Sequence, residues 1–103
     1  MSEAQLISVT KGTLRLLGAV DYGNAPLLAP QIDPYLQPSE FNTLSLDMSQ
    51  VTHINSAGMA LLIDWCKKAK KKGIVLQFCH VPAQLARMAA LTQADKILNL
   101  AYR

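Results

Sequence analysis

The side chains best equipped for chemistry are Ser56, His53, His80, Cys66, Cys79, Asp21 and Asp47. A serine nucleophile needs a base to take its proton, most often a histidine that a carboxylate holds in place. Ser56 stands in Asn55-Ser56-Ala57-Gly58 rather than in a G-x-S-x-G elbow, and neither histidine occupies an identifiable base position. The two histidines are far apart, the cysteines fall outside a C-x-x-C spacing, and no H-x-x-x-H or H-E-x-x-H helix presents a metal face. No carboxylate pair flanks a recognisable pocket, and there is no glycine-rich phosphate loop. The expectation is a protein that is not an enzyme and takes no metal and no cofactor. Cys66 and Cys79 read as small core hydrophobes of a reducing cytosol.

Ser56 and Asn55 precede an apolar, helix-spaced run, so either can cap a helix by accepting from the free N–H groups of its first turn. The same N–H groups and the positive end of the dipole would also favour a phosphate on Ser56 or an anionic partner group. Plain caps are the commoner use of a serine at such a place. Asp47 is expected to end the preceding strand and Asp21 to follow an earlier one, which would gather both at the edge that carries Ser56. That arrangement would be an acidic rim around a modifiable hydroxyl; the simpler alternative is that each aspartate caps a turn.

These residues must be positioned by surrounding elements. Leu6 to Val9 and Leu14 to Leu17 read as strands of an antiparallel hairpin, with Lys11-Gly12 supplying the positive-φ turn. The segment after Asp21 has helix-spaced leucines and Ile32, but Pro26, Pro30, Pro34 and Pro38 interrupt it. Pro26 suits a first turn after an Asn24 cap, whereas Pro30 and Pro34 should shorten or kink the helix. Leu44 to Met48 reads as a buried strand, Ser56 to Lys72 as a helix closed by Gly73, and Ile74 to Cys79 as a second strand. A strand, helix, strand unit implies parallel neighbours. A further helix runs from Pro82 to about Thr92, with Leu85, Met88, Ala89 and Thr92 as its stripe. Ile97, Leu98 and Leu100 read as a last short strand or packed tail.

On the Ser56 helix, a 100° projection places Met59, Leu62, Cys66, Ala69 and Gly73 toward the sheet. Asp64, Lys67, Lys68 and Lys71 face water. Leu61 and Trp65, four residues apart, fall on the flank between, either as edge packing or as a docking patch anchored by a half-exposed tryptophan.

The chain has 103 residues, 50% apolar and 17% charged, which matches one globular domain and leaves no room for a second. No apolar run approaches the roughly 20 residues that span a bilayer, and no secretory signal opens the chain, so a cytoplasmic location is expected. The net charge is +3, and five of the ten positive residues lie between Lys67 and Lys72. Lysines at a helix end complement its dipole, although such a patch could also meet phosphate, anionic lipid or an acidic partner. No nucleic-acid partner is expected.

The run from Leu46 through Leu62, with Leu46-Asp47-Met48-Ser49 and then Asn55-Ser56-Ala57-Gly58 opening a helix, resembles the signature of the STAS family, the sulphate transporter and anti-sigma factor antagonist domains. Gly18-Ala19-Val20-Asp21 resembles that family's Gly-Glu-Leu-Asp turn. The resemblance implies one α/β domain with a mixed β-sheet, an opening antiparallel hairpin, a parallel βαβ crossover and helices packed on the sheet. It places Ser56 on the family's Ser/Thr switch position, while Asn55 stands where the family carries an aspartate. Ala60-Leu61-Leu62, the lysine-rich helix end and Leu85 to Leu91 are similar to the small STAS subunits of phospholipid ABC transporters. This implies that the chain binds the transporter's ATPase subunit, in a complex with a permease, through Asn55, Ser56, Ala57, Gly58, Leu61 and Trp65. Any membrane association would be indirect, through that complex. The other implied reading is an anti-sigma factor antagonist switched by phosphorylation at Ser56.

Overall fold

The computed structural model describes residues 4–40 and 42–98. Strands β1 (Ala4–Thr10) and β2 (Thr13–Val20) form the opening hairpin, and Gly12 takes the positive φ of 86° that its turn requires. Strand β3 (Thr43–Ile54) lies parallel to β2, and β4 (Val75–Cys79) lies parallel to β3, giving the order β1-β2-β3-β4. Helix α2 (Ser56–Lys71) makes the crossover between β3 and β4, and Gly73, at φ 74°, ends it as expected. Helix α3 (Ala83–Thr92) follows β4.

The sheet is covered on one face. Partnered positions share a face, and Leu6, Leu14, Leu16, Leu44, Leu46, Leu76 and Phe78 are all buried there. Their alternates, including Ile7, Arg15, Ser45, Val75 and Gln77, lie on the open face and are exposed or half-buried. The period of two in these strands therefore separates a helix-covered side from an uncovered one.

The proline segment resolves into two short pieces. Helix α1 (Ala25–Leu28) has a proline in its first turn, and a 3₁₀ turn over Ala29–Tyr35 begins near Pro30 and contains Pro34. Each ring removes a donor that a continuous α-helix would use, so the prolines shorten the helix as the sequence suggests. The apolar spacing survives: Ala25, Leu28, Ile32 and Leu36 are all buried. Asn24 does not cap α1 with its side chain. Its amide donates to the Ala19 carbonyl at 2.7 Å, and its Oδ1 accepts from the Asp21 N–H at 2.9 Å.

Two expectations fail in this architecture. Strand β3 does not stop at Met48 but continues to Ile54, because β2 pairs with it along its whole length while β4 ends opposite Asp47. The polar residues after Met48 face an uncovered side of that strand rather than a loop. Trp65 is not half-exposed either. It is fully buried, as is Leu61 to within 5%, and the Trp65 indole N–H donates to the Ala29 carbonyl at 3.0 Å. The buried face of α2 is Gly58, Leu61, Leu62, Trp65 and Ala69, with Met59 and Cys66 half-buried. It is turned relative to the projected stripe because the proline segment folds over one flank of α2.

After α3, residues Ala94–Lys96 form a single 3₁₀ turn and Leu98 is buried, so this part is a packed tail and not a strand. Leu100 lies outside the described residues.

Replacing Trp65 by alanine should cost about 3–5 kcal/mol, the range for emptying a large aromatic from a core. Urea denaturation followed by circular dichroism measures it; a loss under about 1 kcal/mol would show that the indole is not an integral part of the core.

Candidate functional site at the start of α2

The polar start of α2 is held against the carboxyl ends of β2 and β3. Val20 pairs with Ile54, and the Asn55 N–H reaches the Val20 carbonyl at 3.4 Å. Asn55, in an extended conformation, is the cap: its Oδ1 accepts from the N–H groups of Ala57 at 2.9 Å and Gly58 at 3.3 Å. The cap therefore belongs to Asn55, which leaves the Ser56 hydroxyl for other partners. Ser56 is exposed and shares a hydrogen bond of 2.7 Å with the Tyr22 hydroxyl.

Tyr22 is 71% exposed, and its position comes from the turn before α1. Asp21 Oδ1 accepts from the N–H groups of Gly23 at 2.9 Å and Asn24 at 3.1 Å, an Asx turn that fixes the loop from which the ring projects. Asp21 is thus a turn-former placed beside the start of α2. Tyr22 was not singled out by the sequence. An aromatic inside an Asp-Tyr-Gly-Asn turn was the only signal, and its partner lies 34 residues away.

Between α1 and α2 runs a shallow groove of about 410 Å³, mostly apolar and lined by Tyr22, Ala25, Pro26, Ala57, Ala60 and Leu61, with Asp64 at its margin. Small residues on α2 make the groove, because Ala57 and Ala60 leave room that longer side chains would fill. Gly58 makes the opposite face of the same turn possible. A methyl group there would overlap the Ile54 side chain and press on Val20 Cγ1 at 3.1 Å, so only glycine lets the helix start approach the strand ends this closely.

The acidic rim does not form. Asp47 lies seven residues before the end of β3, opposite Arg15 on β2 and Cys79 on β4, on the open sheet face. Extended backbone advances about 3.3 Å per residue, which puts it roughly 20 Å from the strand end that carries Asn55. Its carboxylate accepts from Arg15 Nε at 2.9 Å and from the Ser49 N–H at 2.9 Å, and only 8% of the residue is exposed. Burial alone would raise this carboxyl, but the Ser49 N–H and hydroxyl and the Arg15 guanidinium together hold it below its usual value. Burial, and then the Asp47 charge, push the Cys79 thiol up.

Of the six residues expected to meet a partner, the structure presents Ser56 at the surface, leaves Asn55 and Ala57 half-buried, and buries Gly58, Leu61 and Trp65. Leu61 still lines the groove floor; Trp65 is committed to the core. The lysines at the end of α2 are mostly solvated, and Lys68 ties α2 to the proline segment through the Ala29 carbonyl at 3.4 Å and Asp33 at 3.5 Å. Among the described residues, no helix is long and apolar enough to cross a membrane.

A four-stranded mixed sheet with helices on one face, displaying a hydroxyl where its crossover helix begins, defines the class as a small α/β domain with a polar helix-start surface. Residues 4–103 match the STAS domain model, and the chain belongs to that family. Its fold is similar to an anti-sigma factor antagonist from Mycobacterium paratuberculosis, at 24% identity over 97% of this chain and 85% of that one, with a TM-score of 0.70. It is also similar to the anti-sigma factor antagonist SpoIIAA in its unphosphorylated form, at 12% identity, 98% and 88% coverage and a TM-score of 0.72. The phosphorylated form of the Bacillus cell fate determinant SpoIIAA superposes comparably, at 12% identity, 98% and 91% coverage and a TM-score of 0.69.

Substituting Gly58 by alanine should destabilise the fold by about 1–3 kcal/mol through overpacking against Ile54 and Val20. An unchanged urea midpoint would show that the close approach is not required. Because the folded Asp47 carboxyl lies below the usual 3.8, its contribution is present above that value and is lost as pH falls through the folded one. Asp47→Asn should therefore be less stable than the parent at pH 7 and show a flatter loss of stability below pH about 4, read by thermal unfolding across pH. Parallel profiles would contradict the assignment.

Proposed function

We propose that this STAS domain works by contact and without bond-making, docking a protein partner on the surface formed by Ser56, Tyr22 and the α1–α2 groove. The observation that carries this reading is the exposed Ser56 hydroxyl: Asn55 does the capping, so the serine is presented outward beside an apolar groove. A surface of that kind offers a partner apolar area to bury and one polar group to orient it.

The favoured reading of the partner is a kinase-type anti-sigma factor, with Ser56 as the switch. Support comes from family membership and from the antagonist names of the structural relatives. A phosphate on Ser56 would add a charge of about −1.5 to −2 and break the Tyr22 contact. The Asn55 side chain already occupies the Ala57 and Gly58 N–H groups, so the phosphate would project into the interface rather than fold back on the helix. Desolvating it against an apolar partner would release the complex.

The second reading is an MlaB-like role, in which the same surface holds the ATPase subunit of a phospholipid ABC transporter with its permease and membrane association is indirect. Its support is Asn55, an amide where the family carries an aspartate, and the sequence runs Ala60-Leu61-Leu62 and Leu85 to Leu91. This role needs no phosphate.

A native pull-down from solubilised membranes and cytosol, repeated with Ser56→Asp and Ser56→Ala, separates the two. The antagonist reading predicts recovery of a kinase-type partner, binding weakened about tenfold or more by Ser56→Asp, and near-parental binding by Ser56→Ala. Recovery of an ABC ATPase with its permease moves the protein to transport. Binding unaffected by Ser56→Asp removes Ser56 from the interface.

A further inference from the structure

The open face of the sheet brings Asp47 to two ligand-type side chains, Cys79 and its neighbour His80, that lie far along the sequence from it. Asp47 on β3 is the register partner of Cys79 at the end of β4, and His80 is the next residue. Neighbouring residues of an extended strand point to opposite faces. His80 instead takes a left-handed backbone, φ 54°, and its imidazole turns back toward the Cys79 side. One carboxylate oxygen, the Cys79 sulfur and an imidazole nitrogen all lie within 4.8 Å of one another.

We propose that Asp47, Cys79 and His80 form a binding site for a divalent transition-metal ion of the zinc class. A thiolate, an imidazole and a carboxylate are the donors that zinc takes, and harder ions such as magnesium or calcium avoid sulfur. Ligands of a tetrahedral zinc ion, bonded at about 2.0–2.3 Å, stand roughly 3.5 Å apart, so modest side-chain rotation closes the set. Three protein ligands leave a fourth position for water.

Arg15 holds the Asp47 carboxylate from the β2 side, and the Ser49 N–H and hydroxyl hold it from β3 itself; these three contacts leave one of its four lone-pair positions for an ion. These contacts orient the carboxylate as outer partners do in metal sites. The Arg15 charge also opposes a second cation, which makes this a site of moderate affinity. When the ion binds, the Cys79 S–H bond breaks, a sulfur–metal bond forms with the electron pair left on sulfur, and the proton passes to solvent. Affinity therefore increases with pH. The bound ion would clip the end of β4 and the approach to α3 onto β3.

Titration of the metal-free full chain with cobalt(II) tests the site, because a thiolate ligand produces a near-ultraviolet charge-transfer band that oxygen and nitrogen ligands do not. The expected result is a saturable band at one cobalt per chain, displaced by zinc, with a higher thermal midpoint in the presence of zinc. Cys66→Ser should keep the band and Cys79→Ser abolish it. His80→Asn, an exposed change to a residue that tolerates the left-handed backbone, should weaken binding about tenfold or more. The absence of a saturable band, its persistence in Cys79→Ser, its loss in Cys66→Ser or an unchanged affinity in His80→Asn would overturn the proposal.

Discussion

The close seating of α2 on the ends of β2 and β3 is the constraint on which the candidate site depends. Val20 and Ile54 finish the parallel pair together, and Gly58 lets the first turn of the helix rest on both. Asn55 then satisfies the first-turn donors, so the helix start is stable without help from Ser56. That division of labour frees the hydroxyl. A larger residue at position 58 would lift the helix start and move Ser56 away from Tyr22.

The second support is the proline segment. Its prolines break what would have been one amphipathic helix into a short α-helix and a 3₁₀ turn, and the broken shape folds over the flank of α2. The Ala29 carbonyl, at the junction of the two pieces, accepts from the Trp65 indole N–H and lies near the Lys68 ammonium. The tryptophan thus fastens the proline segment to α2 from within the core. Small residues on the facing turns, Ala25, Ala57 and Ala60, keep the α1–α2 groove open.

Much of this fold was legible in the sequence because the signals were local. Gly12 marked the hairpin, Gly73 the end of α2, and the strand, helix, strand order implied a parallel sheet. The failures came where a residue's place depends on something distant. Trp65 looked half-exposed on an isolated helix wheel, since only the folded proline segment covers that flank. Asp47 looked like the end of a strand because polar residues follow it, yet pairing with β2 carries the strand on to Ile54. Tyr22 reached the site from a turn 34 residues from Ser56. Asp47 and Cys79 are neighbours only through the β3–β4 register, which spacing along the chain does not reveal.

The central claim is that the start of α2 and its groove form a protein-binding surface, whereas the open sheet face does not meet that partner. Photo-crosslinking in cells from a benzophenone amino acid placed at Tyr22 or Ala60, against the same group at Gln77, tests it most directly. The account predicts one shared partner, identified by mass spectrometry, captured from positions 22 and 60 and absent from position 77. Capture of that partner from position 77 alone would contradict it.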